Sequence, residues 1–161
     1  MKKNVVLIIV AVILIGGGFA IFSGDGNGNQ EKIEKVQSSS TLSSDKEIYD
    51  FGDIDIFGGT VETEFALTNE GADDIVITGG TTSCGCTNGE IGGISFGMHE
   101  KMRGEFTIPA GETKNLKVIY DPMAHGPSGV GLAQRSVFLK TNSTVTPELE
   151  VRIKAMVTKT N

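Results

Sequence analysis

Two cysteines separated by a glycine give this chain its most distinctive chemistry. Cys84, Gly85 and Cys86 follow one another, and the sequence contains no other cysteine. In an extended segment, residues i and i+2 project to the same side, so the two sulfurs are placed to bind one metal ion. They can instead form a disulfide, which would be strained and easily reduced unless Gly85 bends the chain. A third interpretation makes them inert residues of a turn.

Further ligands for a soft metal follow the cysteines. Both histidines of the chain, and three of the four methionines after Met1, fall between positions 84 and 125. Thiolate, thioether and imidazole groups suit Cu(I), whereas Zn(II) gains little from methionine. Each methionine taken singly is more commonly a packing residue, but their proximity to the thiols favours Cu(I) as the cofactor. The predicted metal ligands are Cys84, Cys86, Met98, His99 and His125, with Met102 or Met123 in reserve.

Charge and motif content exclude several classes of function. The net charge is -6 and no cluster of Lys and Arg is present, which argues against nucleic-acid binding. No Ser-His-Asp order, no Gly-rich loop before a helix and no His-Glu-x-x-His motif stands out, so we predict a non-enzymatic protein. Thiol–disulfide exchange requires a thiol of low pKa, and no Lys or Arg directly flanks the cysteines.

The residues from Ile48 onward alternate between apolar and polar positions, which predicts strands. In the last such segment, Val151 and Ile153 point one way while Arg152 and Lys154 point the other. The high glycine content, 22 residues, also favours short strands and tight turns. About seven strands within roughly 110 residues predict an all-β fold, an immunoglobulin-like antiparallel β-sandwich. The chain has no tryptophan, and its cysteines are too close together to join two sheets, so the core must depend on aliphatic packing.

Strand direction places two long loops at one end of this sandwich. If each connection reverses the chain, the segments Cys84–Gly104 and Asp121–Gln134 both follow strands that run in the same direction. We therefore expect His99 and His125 to lie at the same end as the Cys-Gly-Cys turn. The N-terminal tether is expected near the opposite end.

The N-terminus predicts a single transmembrane helix. Lys2 and Lys3 precede an uncharged, mostly apolar run from Val5 to Phe22, which has about the minimum length for crossing a bilayer with the N-terminus inside. A signal peptide cleaved after Ala20 is the alternative. In both cases the folded part lies outside the cytoplasmic membrane, anchored in the first case and secreted in the second. We assign residues 1–22 to this segment, 23–47 to a flexible linker and 48–161 to the sandwich domain.

Five short motifs occur in a recognisable order. They are Phe51–Ile54, Phe65–Gly71, Ser83–Thr87, Ile108–Glu112 and Val118–Pro122. In this combination the chain resembles the bacterial extracytoplasmic domain-of-unknown-function family fifteen-seventy-three, over residues 48–158. The resemblance implies an immunoglobulin-type sandwich related to ASH and major sperm protein domains, a location in the cell envelope, and no established activity.

The chain departs from the common pattern of that family at the predicted ligands. The family has a short link after the Cys-Gly-Cys turn, whereas this chain has the longer segment 88–107 and the loop 124–127. These additions carry Met98, His99 and His125, so the resemblance implies nothing about their role.

Together these observations favour a membrane-tethered β-sandwich that binds a soft metal at one end. One alternative is a structural or adhesion module that binds another envelope protein, with the cysteine pair as a disulfide. The other is a module with redox-active thiols. The predicted partners are the cytoplasmic membrane and an envelope protein, and the oligomeric state stays open.

Overall fold

The computed structural model describes residues 36–160, in which ten strands and no helix are found. The strands are β1 (Leu42–Ser44), β2 (Ile48–Asp55), β3 (Val61–Asn69), β4 (Ile75–Thr82), β5 (Thr87–Ile91), β6 (Ile94–Gly97), β7 (Phe106–Ile108), β8 (Thr113–Tyr120), β9 (Gly131–Thr141) and β10 (Glu148–Thr158). No part of residues 36–160 forms a helix long and apolar enough to cross a bilayer. The predicted membrane anchor, residues 1–22, lies outside the described residues.

The strands form two five-stranded sheets that share one core. The order is β1-β3-β8-β5-β6 in the first sheet and β2-β10-β9-β4-β7 in the second. All the pairings are antiparallel except that of β2 with β10, which is parallel. The predicted all-β sandwich is therefore confirmed. It has ten strands rather than about seven because β1, β6 and β7 are too short to show a clear alternation.

Alternation along the strands buries one apolar face from each sheet. In β10, Val151 and Ile153 are almost fully buried, as predicted, and in β3, Phe65 and Leu67 are fully buried. Each side chain of this kind contributes about 1.5–3 kcal/mol by leaving water. The two faces together form a mostly aliphatic core, which also contains Phe65 and Phe96 and which positions the loops at either end.

The sandwich begins before Ile48, within the segment that the sequence analysis assigns to the linker. Leu42, in β1, is 2% exposed and belongs to the core. Ser40 is also buried, and its carbonyl oxygen accepts a 2.6 Å hydrogen bond from the Ser143 hydroxyl. A polar segment can be ordered where the fold supplies such partners, which the local sequence does not reveal.

A hairpin replaces most of the loop predicted between Cys84 and Gly104. Strands β5 and β6 are joined by Gly92 and Gly93, whose φ angles are 58° and 79°. A two-residue turn with positive φ at both positions matches the twist of an antiparallel pair, and glycine adopts it without steric cost. Strand β5 leads away from the cysteines and β6 leads back, so residues 98–104 return to the cysteine end.

Phe96 holds this hairpin against the second sheet. A Cβ atom on Gly80 of β4 would lie 2.6 Å from the Phe96 ring, and one on Gly89 of β5 would lie 2.3 Å from it. Glycine at both positions leaves room for the ring within the close-packed core. The packing of Phe96 thereby fixes where the segment 98–104 begins.

Candidate functional site

The cysteines lie in a tight turn between β4 and β5. The Thr87 N–H donates a 3.1 Å hydrogen bond to Cys84 O, which closes a four-residue turn. The buried Thr82 hydroxyl lies 2.9 Å from Cys84 O and 2.9 Å from Thr87 O. Cys86 O accepts a 2.9 Å hydrogen bond from the Asp121 N–H. Contacts from β4 and from the end of β8 therefore fix the backbone of the turn.

Cys84 and Cys86 form a disulfide inside this turn. Their Cα atoms are 5.1 Å apart, which is within the usual range for a disulfide. The prediction that the two sulfurs sit side by side on an extended segment is wrong, because the chain bends at Gly85. The disulfide interpretation describes this structure, and coordination of a metal by both thiolates would require its reduction.

The two sulfurs have different surroundings. Cys86 is 2% exposed, whereas Cys84 is half-buried and lines an open pocket of about 540 Å³. His125 Nε2 lies 3.1 Å from Cys84 Sγ. The loop that carries His125 has its own hydrogen bonds, including a 2.8 Å bond from the Gly126 N–H to Met123 O. A molecule that enters the pocket therefore meets Cys84 first, beside an imidazole ring.

Arg135, which is partly buried and also lines this pocket, contacts the other sulfur from strand β9. Its Nε lies 3.1 Å from Cys86 Sγ, and its Nη1 donates a 2.7 Å hydrogen bond to Gln134 O. On β9, Ala133 and Val137 are buried, so Arg135 occupies a core-facing position in the same alternation. Burying part of a guanidinium is costly unless its N–H groups have acceptors, and the sulfur of Cys86 is one of them.

Arg135 is not among the residues next to the cysteines in the sequence, so their local surroundings do not predict it. The useful signal lies 49 residues away from Cys86, on β9. There Ala133, Val137 and Leu139 occupy alternate apolar positions, and Arg135 interrupts the series. A charged residue at a core-facing position of a strand is a candidate for a functional contact.

Two other predicted ligands, Met98 and His99, line the same pocket as Cys84 and His125. The His99 ring packs over Gly85, where an added Cβ would lie 3.4 Å from its Cδ2 atom. This confirms that both histidines lie at the cysteine end of the sandwich. The reserve ligands are elsewhere: Met102 lines a neighbouring groove, and Met123 is exposed outside the pocket lining.

Three of the five predicted ligands form a compact group. The Sγ atoms of Cys84 and Cys86 and a ring nitrogen of His125 all lie within 4.8 Å of one another. Thiolate and imidazole ligands at this spacing suit a soft ion once the disulfide is reduced. Metal binding by these residues stays a prediction.

Tyr120 lies beside the cysteine turn, paired with Thr87 across β8 and β5. Burial raises the pKa of the Tyr120 hydroxyl above its ordinary value of 10.0. The charge of Arg135 opposes this rise, and the carboxylate of Asp121 adds to it. The guanidinium therefore acts on more than one group at this end of the sandwich.

A family model described as Protein of unknown function (DUF1573) matches residues 42–157. The chain belongs to this family. The match begins at the first residue of β1 and ends one residue before the end of β10, so the DUF1573 region includes all ten strands except that last residue. No curated protein matches the chain.

Solved structures share the fold of this DUF1573 domain. A protein of unknown function from Porphyromonas gingivalis W83 has a TM-score of 0.58 at 16% identity, over 78% of this chain and 51% of that one. The Vibrio cholerae VesB protease has a TM-score of 0.52 at 17% identity, over 74% and 32%. The ASH / PapD-like domain of human CEP192 has a TM-score of 0.48 at 12% identity, over 80% and 93%. The chain thus spans about half of the first structure and a third of the second, and the likenesses to these two concern the fold alone.

Proposed function

We propose that this DUF1573 domain is a thiol–disulfide exchange module that accepts two electrons from a dithiol on another polypeptide. The observation that carries the proposal is the 3.1 Å distance between Arg135 Nε and Cys86 Sγ. A disulfide sulfur is a weak hydrogen-bond acceptor, whereas a thiolate accepts a strong, charge-assisted hydrogen bond. Arg135 therefore stabilises the reduced state of the pair more than the oxidised state.

The difference in exposure between the sulfurs determines which one is attacked. A substrate thiolate reaches Cys84 Sγ through the open pocket, whereas Cys86 is shielded. A new S–S bond forms between the substrate and Cys84, the Cys84–Cys86 bond breaks, and Cys86 leaves as a thiolate beside Arg135. A stabilised thiolate is the better leaving group, so attack at Cys84 is also favoured chemically.

The second step releases the substrate as a disulfide. The second substrate thiolate attacks the first substrate sulfur, the bond to Cys84 breaks, and Cys84 leaves as a thiolate 3.1 Å from His125 Nε2. An N–H group at this ring nitrogen donates a hydrogen bond to the departing thiolate. The domain gains two electrons, and the two protons lost by the substrate thiols pass to the domain or to water. Each round consumes one disulfide, so without a second oxidant the domain acts stoichiometrically.

An extracytoplasmic location, with an envelope protein as the substrate, is part of this proposal. Disulfides persist in oxidising compartments such as the periplasm and the cell exterior, and are rare in the cytosol. The basic start of the chain and its apolar run from Val5 to Phe22 support the same location.

The test mixes the oxidised full-length protein, in detergent micelles, with a reduced dithiol peptide. We expect the peptide disulfide to appear in an amount equal to the protein added, as measured by mass spectrometry after acid quenching. The Cys84→Ser and Cys86→Ser variants serve as controls, because neither can form the internal disulfide. If the wild-type protein forms no more peptide disulfide than these variants do, the proposal is contradicted.

A second candidate function is binding of Cu(I) by the reduced site, as the sequence analysis predicts. The observation that favours it is the grouping of Cys84, Cys86 and His125 ligand atoms within 4.8 Å. Met98 and His99 line the same pocket and would complete the shell. Arg135 weighs against this candidate, because its positive charge repels a cation at the sulfur that it contacts.

An anaerobic titration of the reduced full-length protein with Cu(I), against a competing chelator, tests the metal candidate. One tightly bound equivalent that is lost in the Cys84→Ser variant would support it. The Arg135→Gln variant separates the two functions, since it should strengthen metal binding and weaken electron acceptance.

A further inference from the structure

The pocket that exposes Cys84 has a positive charge and no acidic side chain. Its lining consists of eight residues, among which are Arg135 and the imidazole rings of His99 and His125, and none of the eight is Asp or Glu. The chain as a whole has a net charge of -6. At physiological ionic strength, charges on exposed groups are screened over about 8 Å. A molecule in the pocket therefore responds mainly to the guanidinium and not to the net charge of the chain.

The guanidinium of Arg135 has donors and a charge that the described chain leaves unmatched. A guanidinium has five N–H donors. Arg135 uses two of them, one to Cys86 Sγ and one to Gln134 O, which leaves three of the five. Within residues 36–160, no Asp or Glu oxygen lies within 4.0 Å of a guanidinium nitrogen of Arg135. A partly buried guanidinium gains most from a carboxylate, which accepts strong, charge-assisted hydrogen bonds.

The acidic residues that come closest along the sequence to the pocket loops do not supply this carboxylate. The side chain of Asp121 accepts a 2.8 Å hydrogen bond from the Met123 N–H, and it is not part of the pocket lining. Glu100 directly follows His99 but is also absent from the lining. The pocket is therefore open to a carboxylate that a bound molecule brings with it.

The position of Arg135 sets the spacing between that carboxylate and the attacking sulfur. In disulfide exchange the attacking thiolate approaches on the side of Cys84 that faces away from the leaving sulfur. Arg135 contacts the leaving sulfur, that of Cys86. The two sulfurs of the disulfide thus separate the attacking thiolate from the guanidinium. An acidic residue one or two positions from a cysteine can span this separation, since an extended chain rises about 3.3 Å per residue.

We propose that Arg135 forms a carboxylate subsite in this pocket, and that the subsite selects thiols with a carboxylate one or two residues from the sulfur. The inference rests on the proposed exchange function and names the substrate class for that reaction. The carboxylate accepts hydrogen bonds from the remaining N–H groups of Arg135 while the thiolate forms an S–S bond to Cys84. The Cys84–Cys86 bond breaks, and Cys86 leaves as a thiolate. The carboxylate belongs either to an acidic residue of a polypeptide or to a small carboxylate-bearing thiol.

The experiment compares matched pairs of thiols that attack the oxidised full-length protein in detergent micelles. Two pairs are short peptides with one cysteine, in which the residue directly before or directly after the cysteine is either Glu or Gln. The third pair is mercaptopropionate and its amide. The members of each pair have nearly the same size and differ in charge. The measured quantity is the second-order rate of mixed-disulfide formation at Cys84, after acid quenching and mass spectrometry, divided by the thiolate fraction of each probe.

Three variants locate the subsite. Arg135→Gln removes it and also slows every thiol, because the leaving Cys86 thiolate loses a hydrogen bond, so the decisive quantity is the ratio of the acid rate to the amide rate. Gln134→Glu keeps Arg135 but places a competing carboxylate in the pocket lining. Arg103→Gln is the matched control, because it removes the same charge from the exposed segment 98–104, outside the lining.

We expect the acid member of at least one peptide pair to react about fivefold faster than the amide member, through its charge-assisted hydrogen bonds to Arg135. The advantage should shrink in about 1 M salt, where charges are screened over about 3 Å. Arg135→Gln and Gln134→Glu should remove the advantage, and Arg103→Gln should keep it. Equal acid and amide rates in the wild type, or an advantage that survives Arg135→Gln, would overturn the subsite and leave the exchange function standing.

The small pair identifies the source of the carboxylate. An advantage in the peptides alone supports a polypeptide substrate with an acidic residue beside its cysteine. A similar advantage for mercaptopropionate over its amide supports the same subsite and extends the substrate class to small carboxylate-bearing thiols. If no thiol opens the disulfide, the exchange function fails, and this inference fails with it.

Discussion

Replacing Arg135 with glutamine should make the Cys84–Cys86 disulfide harder to reduce. In the wild type, the guanidinium Nε lies 3.1 Å from Cys86 Sγ, where it can stabilise the thiolate of the reduced state. A hydrogen bond to a charged group is worth about 1.5–3 kcal/mol. For this two-electron couple, about 1.4 kcal/mol corresponds to about 30 mV, so Arg135→Gln should lower the reduction potential by roughly 30–60 mV.

The assay equilibrates the full-length protein with glutathione buffers of defined ratio and counts free thiols by alkylation and mass spectrometry. Arg152→Gln is the matched control, because it removes the same charge from the neighbouring strand β10, where Arg152 lies beside Glu47 and Glu150. An Arg135→Gln potential equal to that of the wild type, or shifted no further than that of Arg152→Gln, would refute the reasoning.

Three further perturbations test other parts of the structure. His125→Ala should slow the release of Cys84 from a mixed disulfide by about tenfold or more, because the imidazole 3.1 Å away no longer stabilises the leaving thiolate. Quenched-flow alkylation measures this rate, and an unchanged rate would mean that His125 has no part in the mechanism. Gly80→Ala should lower the free energy of unfolding by roughly 1–3 kcal/mol, because the new methyl group overlaps the Phe96 ring. Urea titration measures this free energy, and an unchanged value would contradict the prediction. Burial raises the pKa of the Tyr120 hydroxyl, so its contribution to the free energy of unfolding is complete below pH 10.0 and is lost as the pH rises through the folded-state pKa. Unfolding titrations above pH 9 should therefore show a steeper loss of stability in the wild type than in Tyr120→Phe. Parallel stability curves for the two proteins would contradict this.

Most of the fold follows from the period-two pattern of the longer strands. In β3 and β10 the alternate apolar residues are buried, except that Val61 and Leu149 near the strand starts are partly buried, because a half-buried antiparallel strand has one face in the core. The elements that this pattern does not predict are short. Strand β1 has three residues, and its place in the sheet depends on a distant partner, since the Leu42 N–H donates a hydrogen bond to the Thr146 hydroxyl, 104 residues along the chain. The Gly92–Gly93 turn that joins β5 to β6 is typical of a hairpin, but the alternation alone does not predict it.

The candidate site was predicted in its location but not in its chemistry. Counting strand reversals brought His125 to the cysteine end, and it lies 3.1 Å from Cys84 Sγ. The partner of Cys86 could not be found by inspecting neighbours along the chain, because Arg135 reaches it from β9 across the gap between the two sheets. Such contacts depend on which strands face each other, and that is decided by the packing of the whole sandwich. The bend at Gly85, which allows the disulfide, likewise depends on hydrogen bonds from Thr82 and Asp121.

The reduction potential of the wild-type pair tests the central claim most directly. Structural disulfides typically have potentials below about -300 mV, whereas disulfides that take part in exchange lie between roughly -270 and -120 mV. Because Arg135 and His125 can each stabilise a thiolate of the reduced pair, we predict a value in the higher range for the full-length protein in glutathione buffer. A potential below about -300 mV would mean that Cys84 and Cys86 form a structural bond, and would contradict the proposed exchange function.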